Sequence, residues 1–140
     1  MKDKNIQIAR DRFSPFKIWN HIDRIAGIIK NEVVYPVTIE LDPTNVCNFK
    51  CIFCNDQKKV DNTRLRIDVL LNLVDQLKAC DIKSVVIKGG GEPLLYPQID
   101  TLMYKLSDID CLTGMITNGS MLYKHIQSIG DNLDWIRISL

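Results

Sequence analysis

Residues 84–93 read Ser-Val-Val-Ile-Lys-Gly-Gly-Gly-Glu-Pro, a short β-branched run that ends at a glycine cluster. β-Branched residues favour strands, and glycine permits the backbone turns that strands need at their ends. A helical pattern follows, and Pro97 is its predicted first residue because proline fits the first helical position. The apolar stripe of this helix consists of Ile99, Leu102, Met103 and Leu106. The stretch therefore predicts a strand, a loop and a helix in succession.

The same pattern precedes this unit in the chain. Apolar residues at helical spacing predict a helix over residues 67–80, and strict alternation over residues 37–41 predicts a strand with two unlike faces. Further back, isoleucines recur at helical spacing and predict a leading amphipathic helix. These isoleucines are Ile18, Ile22, Ile25 and Ile29.

Two more strands follow, over residues 111–117 and 135–140. Between them Ser120 is a good helix cap, and Gly130 is the predicted end of that helix. Strands that alternate with helices of this length indicate βαβ units, since parallel neighbours need a crossover connection. The sequence predicts an α/β protein.

We interpret the architecture as a partial (β/α) barrel with parallel strands, preceded by an N-terminal helix. The predicted domains are a helical leader, residues 1–36, and a core domain, residues 37–140. Four strands fall well short of an eight-unit barrel of ~250 residues. The chain also stops inside a predicted strand, so we expect an incomplete domain whose barrel continues beyond Leu140.

Composition narrows the class of protein. A chain of 140 residues with 46% hydrophobic content can bury a real core. The net charge of +1 gives no field that favours nucleic acid, and no apolar run approaches the ~20 residues of a membrane span. Five cysteines, three of them clustered, suit reduced thiols that hold a metal. We expect a cytoplasmic protein.

The clustered cysteines are Cys47, Cys51 and Cys54, separated by three and then two residues. Four thiolates would close a structural zinc site or an iron-sulfur cubane, whereas three leave one metal position open. One alternative is a structural zinc site that takes a fourth ligand from elsewhere in the chain. Its candidate ligands are Cys80, Cys111, His21 and His125. A second alternative is an electron carrier, although that class needs a fourth cysteine close by.

The string from Thr44 to Cys54, followed by Gly90-Gly91-Glu92-Pro93, resembles the radical S-adenosylmethionine (radical SAM) superfamily. The resemblance covers the chain from about Val37 to its end and implies that about four of the family's six β/α units are present. It implies that the three cysteines each bind one iron of a [4Fe-4S] cluster. The amino and carboxylate groups of S-adenosylmethionine would then chelate the fourth iron.

The resemblance also implies further cofactor contacts. Phe53 matches an aromatic position whose backbone lies against the adenine. Gly90, Gly91 and Glu92 would contact the methionine ammonium, with Glu92 as the acceptor. Asn118, Arg137 and Ser139 fall where family members often contact the methionine carboxylate or the ribose.

The implied function is reductive cleavage of S-adenosylmethionine to a 5′-deoxyadenosyl radical that abstracts hydrogen from an unknown substrate, with no catalytic side chain required for that first step. Such an enzyme needs an external one-electron reductant of the flavodoxin or ferredoxin type. The combination of motifs is similar to the broad subgroup that includes peptide-modifying and molybdenum-cofactor enzymes. The substrate would be a peptide or a small molecule.

Each motif also has a purely structural interpretation. The glycine-rich loop could be an ordinary turn after a strand, and Thr117-Asn118-Gly119 a turn with Asn or Gly in a left-handed conformation. Arg137 and Ser139 could be outward strand positions. Cys80 and Cys111 are predicted to be buried, inert thiols. Lys88 either reaches an acidic substrate or a cluster ligand, or is a solvated strand end.

Overall fold

The computed structural model describes residues 17–54 and 61–139. The chain divides between Tyr35 and Pro36 into two compact units. In the first, a 3-10 helix, Lys17–His21, precedes helix α1, Ile22–Ile29. A helix thus precedes the sheet, as predicted, and its role as a separate domain stays a prediction. Among the described residues, no helix is both long and apolar enough to span a membrane.

The second unit is a four-stranded parallel sheet with helical crossovers. The strands are β1, Thr38–Leu41; β2, Ser84–Ile87; β3, Leu112–Thr117; and β4, Trp135–Ile138. The helices are α2, Ile67–Ala79; α3, Ile99–Ser107; and α4, Leu122–Asn132. The strands lie in chain order, β1-β2-β3-β4, and every pair is parallel. The predicted α/β partial barrel is confirmed.

The hydrophobic core lies between the helices and one face of the sheet. Register places Val85 opposite Ile39 and Thr113, and Ile87 opposite Leu41 and Met115. These residues share one face because side chains in matched positions of parallel strands point the same way. Helices α2 and α3 cover that face with fully buried side chains. They contribute Leu70, Val74, Ile99, Leu102, Met103 and Leu106.

The opposite face of the sheet is more polar. Thr38 and Ser84 share a hydroxyl hydrogen bond of 2.6 Å, and the Lys88 ammonium lies 2.6 Å from the Glu40 carboxylate. On β3 and β4, the indole of Trp135 lies over Gly114, where any Cβ atom would overlap it.

Three predicted helix boundaries were wrong. Helix α3 begins at Ile99 rather than Pro97, because Pro93–Leu95 forms a 3-10 helix and the chain turns again before α3. Ser120 does not cap α4, since its hydroxyl donates to Asn118 instead. Gly130 lies inside α4, which continues to Asn132. The predicted end of the last strand at Leu140 lies outside the described residues.

Candidate functional site

The carboxyl ends of the four strands meet at one edge of the sheet. Because all strand pairs are parallel, the loops that follow them gather there. The cysteine loop, residues 47–54, follows β1, and Gly89-Gly90-Gly91-Glu92 follows β2. Asn118-Gly119-Ser120 follows β3, and Ser139 follows β4. The fold thus brings the sequence-predicted motifs to the same edge.

Glu92 is buried at this edge and joins the ends of β2 and β3. Its Oε1 accepts hydrogen bonds from the Leu94 amide at 3.0 Å and from the Thr117 hydroxyl at 2.5 Å. Its Oε2 accepts from the Asn118 amide at 2.7 Å. A carboxylate oxygen can accept two hydrogen bonds, so these donors fill Oε1 and leave capacity for one more at Oε2. Glu92 is only 2% exposed, and Thr117 only 2%. Sequence reasoning assigned Thr117 no role of its own.

The glycines after β2 pack directly against the chain that leads to the cysteines. A Cβ atom on Gly91 would overlap the Val46 carbonyl, and one on Gly90 would lie 2.9 Å from the Asn45 side-chain oxygen. The Glu92 amide donates to the same Val46 carbonyl at 2.8 Å. Glycine is needed here for close backbone approach, and the neighbour is the protein's own chain beside Cys47.

A second loop supports the same approach to the cysteines. Thr44 is buried, and it forms an isolated antiparallel bridge with Arg64. The Asn45 amide donates to the Thr63 carbonyl at 3.0 Å, and the Tyr96 hydroxyl donates to the Leu65 carbonyl at 2.9 Å. This pairing was not predicted, because residues 61–66 show no strand pattern.

The cysteine loop presents three thiols of unequal exposure. Cys47 and Cys51 are half-buried, whereas Cys54 is exposed. The Phe49 amide donates to the Cys47 sulfur at 3.5 Å, and the Cys54 amide donates to the Cys51 carbonyl at 3.0 Å. Three accessible thiols in one short loop are a donor set that suits iron-sulfur chemistry. All five cysteines of the chain are thiols rather than disulfides.

Among the described residues, the fold does not bring together a set of ligands for the structural zinc alternative. Across residues 17–54 and 61–139, no three His, Cys, Asp or Glu side chains converge as a metal-binding group, and this holds for the three loop thiols as well. Cys80 and Cys111 pack against the core and are half-buried, so the prediction of buried thiols was too strong. His125 instead lies 2.9 Å from the Asp100 carboxylate, between α4 and α3.

Asn118 is engaged through both its backbone and its side chain. Its Nδ2 donates to Asn48 Oδ1 at 2.9 Å, and its Oδ1 accepts from the Ser120 amide at 2.9 Å. Asn48 lies directly after Cys47, and sequence reasoning missed it. The only local signal was its position inside the cysteine motif. Gly119 has a positive φ of 79°, so the predicted left-handed turn is present at the glycine.

The remaining predicted residues are exposed near the same edge. Phe53 is 73% exposed, and Arg137 and Ser139 are also exposed. Arg137 neighbours Ile136, which packs against the core, so Arg137 projects from the opposite face of β4. The Ser139 amide donates to the Thr117 carbonyl at 2.9 Å. Lys88 has an acidic partner within the chain, Glu40.

Comparison with known protein families finds a match over most of the chain. The sequence profile of the Radical SAM superfamily matches residues 41–140, which include the whole sheet from the end of β1 onwards. The chain belongs to the radical SAM superfamily.

Curated radical SAM relatives of this chain include the GTP 3′,8-cyclases of Staphylococcus aureus strains Newman and N315. Each is 32% identical over 124 residues, an alignment that covers 80% of this chain and 36% of the relative. The chain therefore spans about a third of the length of these curated relatives.

Solved structures support the radical SAM fold. Streptococcus suis SuiB bound to S-adenosylmethionine matches with a TM-score of 0.71 at 24% identity, over 88% of this chain and 29% of SuiB. BtrN in an open conformation matches with a TM-score of 0.63 at 20% identity, over 77% of this chain and 50% of BtrN.

Proposed function

We propose that this chain is the cofactor-binding part of a radical SAM enzyme that cleaves S-adenosylmethionine reductively. The observation that carries the proposal is the gathering of the cysteine loop, the Gly-Gly-Glu-Pro loop and the Thr-Asn-Gly turn at one edge of a parallel sheet. Ligands of α/β proteins bind at the carboxyl ends of the strands, where this edge lies.

In the proposed site, Cys47, Cys51 and Cys54 hold a [4Fe-4S] cluster. When bound, such a cluster would supply one electron, taken from an external reductant of the flavodoxin or ferredoxin type, for the cleavage of S-adenosylmethionine to methionine and a 5′-deoxyadenosyl radical. The protein's share is to position the cofactor and to exclude solvent. Cluster thiolates need reducing conditions, which fits a cytoplasmic location.

The loop after β2 is proposed to receive the methionine end of S-adenosylmethionine. Glu92 Oε2 has capacity for one more donor, such as an ammonium, beside the Asn118 amide. Gly90 and Gly91 contribute by keeping their loop against the chain before Cys47. Glu92 thus has two tasks in this proposal, since the same carboxylate also joins two strand ends.

The exposed residues are proposed to contact the nucleoside. The Phe53 backbone would lie against the adenine, while Arg137 and Ser139 would reach the carboxylate or the ribose from β4. Asn118 would act through its backbone and its neighbours, because its side chain is already paired with Asn48 and Ser120. The substrate that loses hydrogen is proposed to be a peptide or a small molecule.

Anaerobic reconstitution with iron and sulfide tests the function. We expect brown protein with about four iron atoms per chain. A Cys51→Ala variant should lose the cluster, whereas Cys80→Ala, which changes a thiol outside the loop, should keep it. With dithionite and S-adenosylmethionine, the protein should release 5′-deoxyadenosine. Colourless protein with one zinc per chain, or 5′-deoxyadenosine from Cys51→Ala, would contradict the proposal.

A further inference from the structure

We infer that Asn48, Asn118 and Ser120 form an amide latch, a positioning site that holds the Cys47 end of the cysteine loop against the end of β3. The inference rests on the proposed function in one respect, that this loop binds the cluster. None of the three side chains needs to touch the cofactor for the latch to act.

The latch is a closed ring of hydrogen bonds. Asn48 Nδ2 donates to Ser120 Oγ at 2.8 Å, and Ser120 Oγ donates to Asn118 Oδ1 at 2.7 Å. Asn118 Nδ2 donates back to Asn48 Oδ1 at 2.9 Å. Each hydroxyl and amide group in the ring therefore has a partner of the right polarity. Hydrogen bonds that are linked in this way polarise and strengthen one another.

One backbone group fixes the direction of the whole ring. The Ser120 amide can only donate, and it lies 2.9 Å from Asn118 Oδ1. The Asn118 oxygen must therefore face Ser120, which turns its Nδ2 towards Asn48. The facing atom of Asn48 must then be its oxygen, so its Nδ2 is left to meet the Ser120 hydroxyl.

At the end of β3, the backbone of the latch is hydrogen-bonded to buried side chains. The Asn118 amide donates to Glu92 Oε2, and the Gly119 amide donates to the Thr117 hydroxyl at 3.0 Å. Glu92 and Thr117 are both buried, whereas Asn48 lies on a loop that is half-exposed or exposed throughout. The latch thus ties the exposed cysteine loop to the buried end of β3, 70 residues away in sequence. Surface loops are as a class more mobile than the elements that they connect.

Holding Asn48 has a direct consequence for the Cys47 sulfur. Asn48 lies between Cys47 and Phe49, and the Phe49 amide donates to that sulfur. The latch therefore keeps an N–H dipole aimed at a cluster ligand. Such a dipole favours added negative charge on the ligand, so it raises the reduction potential of a bound cluster.

The first test uses the protein without a cluster. Asn48→Ala, Asn118→Ala and the double variant are alkylated with iodoacetamide, and Cys47 labelling is measured by peptide mass spectrometry relative to Cys80. We expect Cys47 to react at least roughly fivefold faster in each single variant, because each removes two or more hydrogen bonds of the ring and the net value of one corresponds to about that factor in local opening. The double variant should be no faster than either single one, because both remove the same latch.

The matched control is Asn72→Ala, which removes a surface amide paired with Gln76 on α2 at 3.0 Å. It should leave Cys47 labelling unchanged. Unchanged Cys47 labelling in Asn48→Ala overturns the inference. Equal acceleration at Cys80 would also overturn it, since that pattern reports general unfolding.

The second test uses reconstituted protein. Asn48→Ala should lose iron to a chelator faster than wild type, and redox titration by electron paramagnetic resonance should give a lower cluster potential. A potential equal to that of wild type would contradict the role of the Phe49 amide. If wild-type protein takes up no cluster, the proposed function fails, but the labelling test still decides whether the latch exists.

Discussion

Glu92 shows how one buried residue can join three loops. It binds the end of β3 through Thr117 and Asn118, while its own amide binds the Val46 carbonyl before the cysteines. Altering a buried carboxylate that accepts three hydrogen bonds should lower the stability of the fold. Each donor that loses its partner remains buried, without the hydrogen bond to water that it had in the unfolded chain.

Glu92→Gln tests this role without any cofactor. One side-chain oxygen becomes an NH₂ group that faces an N–H or O–H donor, so we expect a loss of about 1–3 kcal/mol in the free energy of unfolding. Urea denaturation of the cluster-free protein measures it. The control is Glu40→Gln, an exposed partner of Lys88, for which we expect a loss below about 1 kcal/mol. Equal losses in both variants would contradict a structural role for Glu92.

Gly91 gives a second prediction at the scale of single residues. In Gly91→Ala the new methyl group would overlap the Val46 carbonyl, so the chain before Cys47 must move. We expect a loss of about 1–3 kcal/mol in stability and reduced iron uptake.

Gly130→Ala is the control with the opposite sign. Gly130 lies inside α4 with no atom within 4 Å of the new methyl group, so alanine should stabilise the protein by about 0.5–1 kcal/mol. A loss of stability at both positions would mean that close backbone approach is not the reason for the effect at Gly91.

At the scale of elements, the crossover between β1 and α2 is held by contacts that are distant in sequence. The Tyr96 ring is buried after the 3-10 helix, and its hydroxyl reaches the Leu65 carbonyl. Residues 63–65 in turn pair with residues 43–45 just before the cysteine loop. Tyr96 therefore supports that loop from outside the predicted motifs.

Tyr96→Phe should cost about 1 kcal/mol at neutral pH, the net value of one hydrogen bond. Burial, with a smaller contribution from Asp68, raises the pKa of the Tyr96 phenol. Above the ordinary phenol pKa of about 10, the unfolded chain ionises first, so wild-type stability falls as pH rises through the folded pKa.

Tyr96→Phe has no phenol at this position, so its stability does not show this decrease at alkaline pH. The stability difference between the two proteins should therefore shrink from pH 8 to pH 11, as measured by urea denaturation. Tyr104→Phe, which changes an exposed ring on α3, is the control for loss of a surface hydroxyl. A difference that grows with pH would contradict the assignment.

At the scale of the whole molecule, the core and the cysteine loop are separate structures. The buried hydrophobic residues of the core belong to the sheet and to the helices over it, and none of the three loop cysteines is among them. Stability should therefore not depend on metal, unlike that of small zinc-folded domains.

A variant with Cys47, Cys51 and Cys54 all replaced by alanine should keep the far-UV circular dichroism of cluster-free wild type. Its thermal midpoint should lie within about 4 °C, the shift that corresponds to less than ~1 kcal/mol for a domain of this size. An unfolded variant would favour the structural zinc alternative over an open cluster site.

The sequence by itself determined the order and type of the strands and α-helices of the core domain. Hydrophobic periodicity depends on which residues face the core, and that signal is local, so residues 84–87 and 112–117 were recognisable as strands. The cysteine and glycine motifs were equally readable, because their spacing is a local property. The parallel order of the strands followed from the helical crossovers between them.

Only the tertiary structure decided which polar groups meet. Glu92, Asn48 and Tyr96 could each be placed on an element or loop from the sequence, but their distant partners lie 25 to 72 residues away in sequence. A hydrogen bond between loops leaves no periodic trace, because it depends on the register of neighbouring strands. The helix cap predicted at Ser120 was wrong for the same physical reason, because its hydroxyl bonds to Asn118 and to Asn48, which lies 72 residues away in sequence.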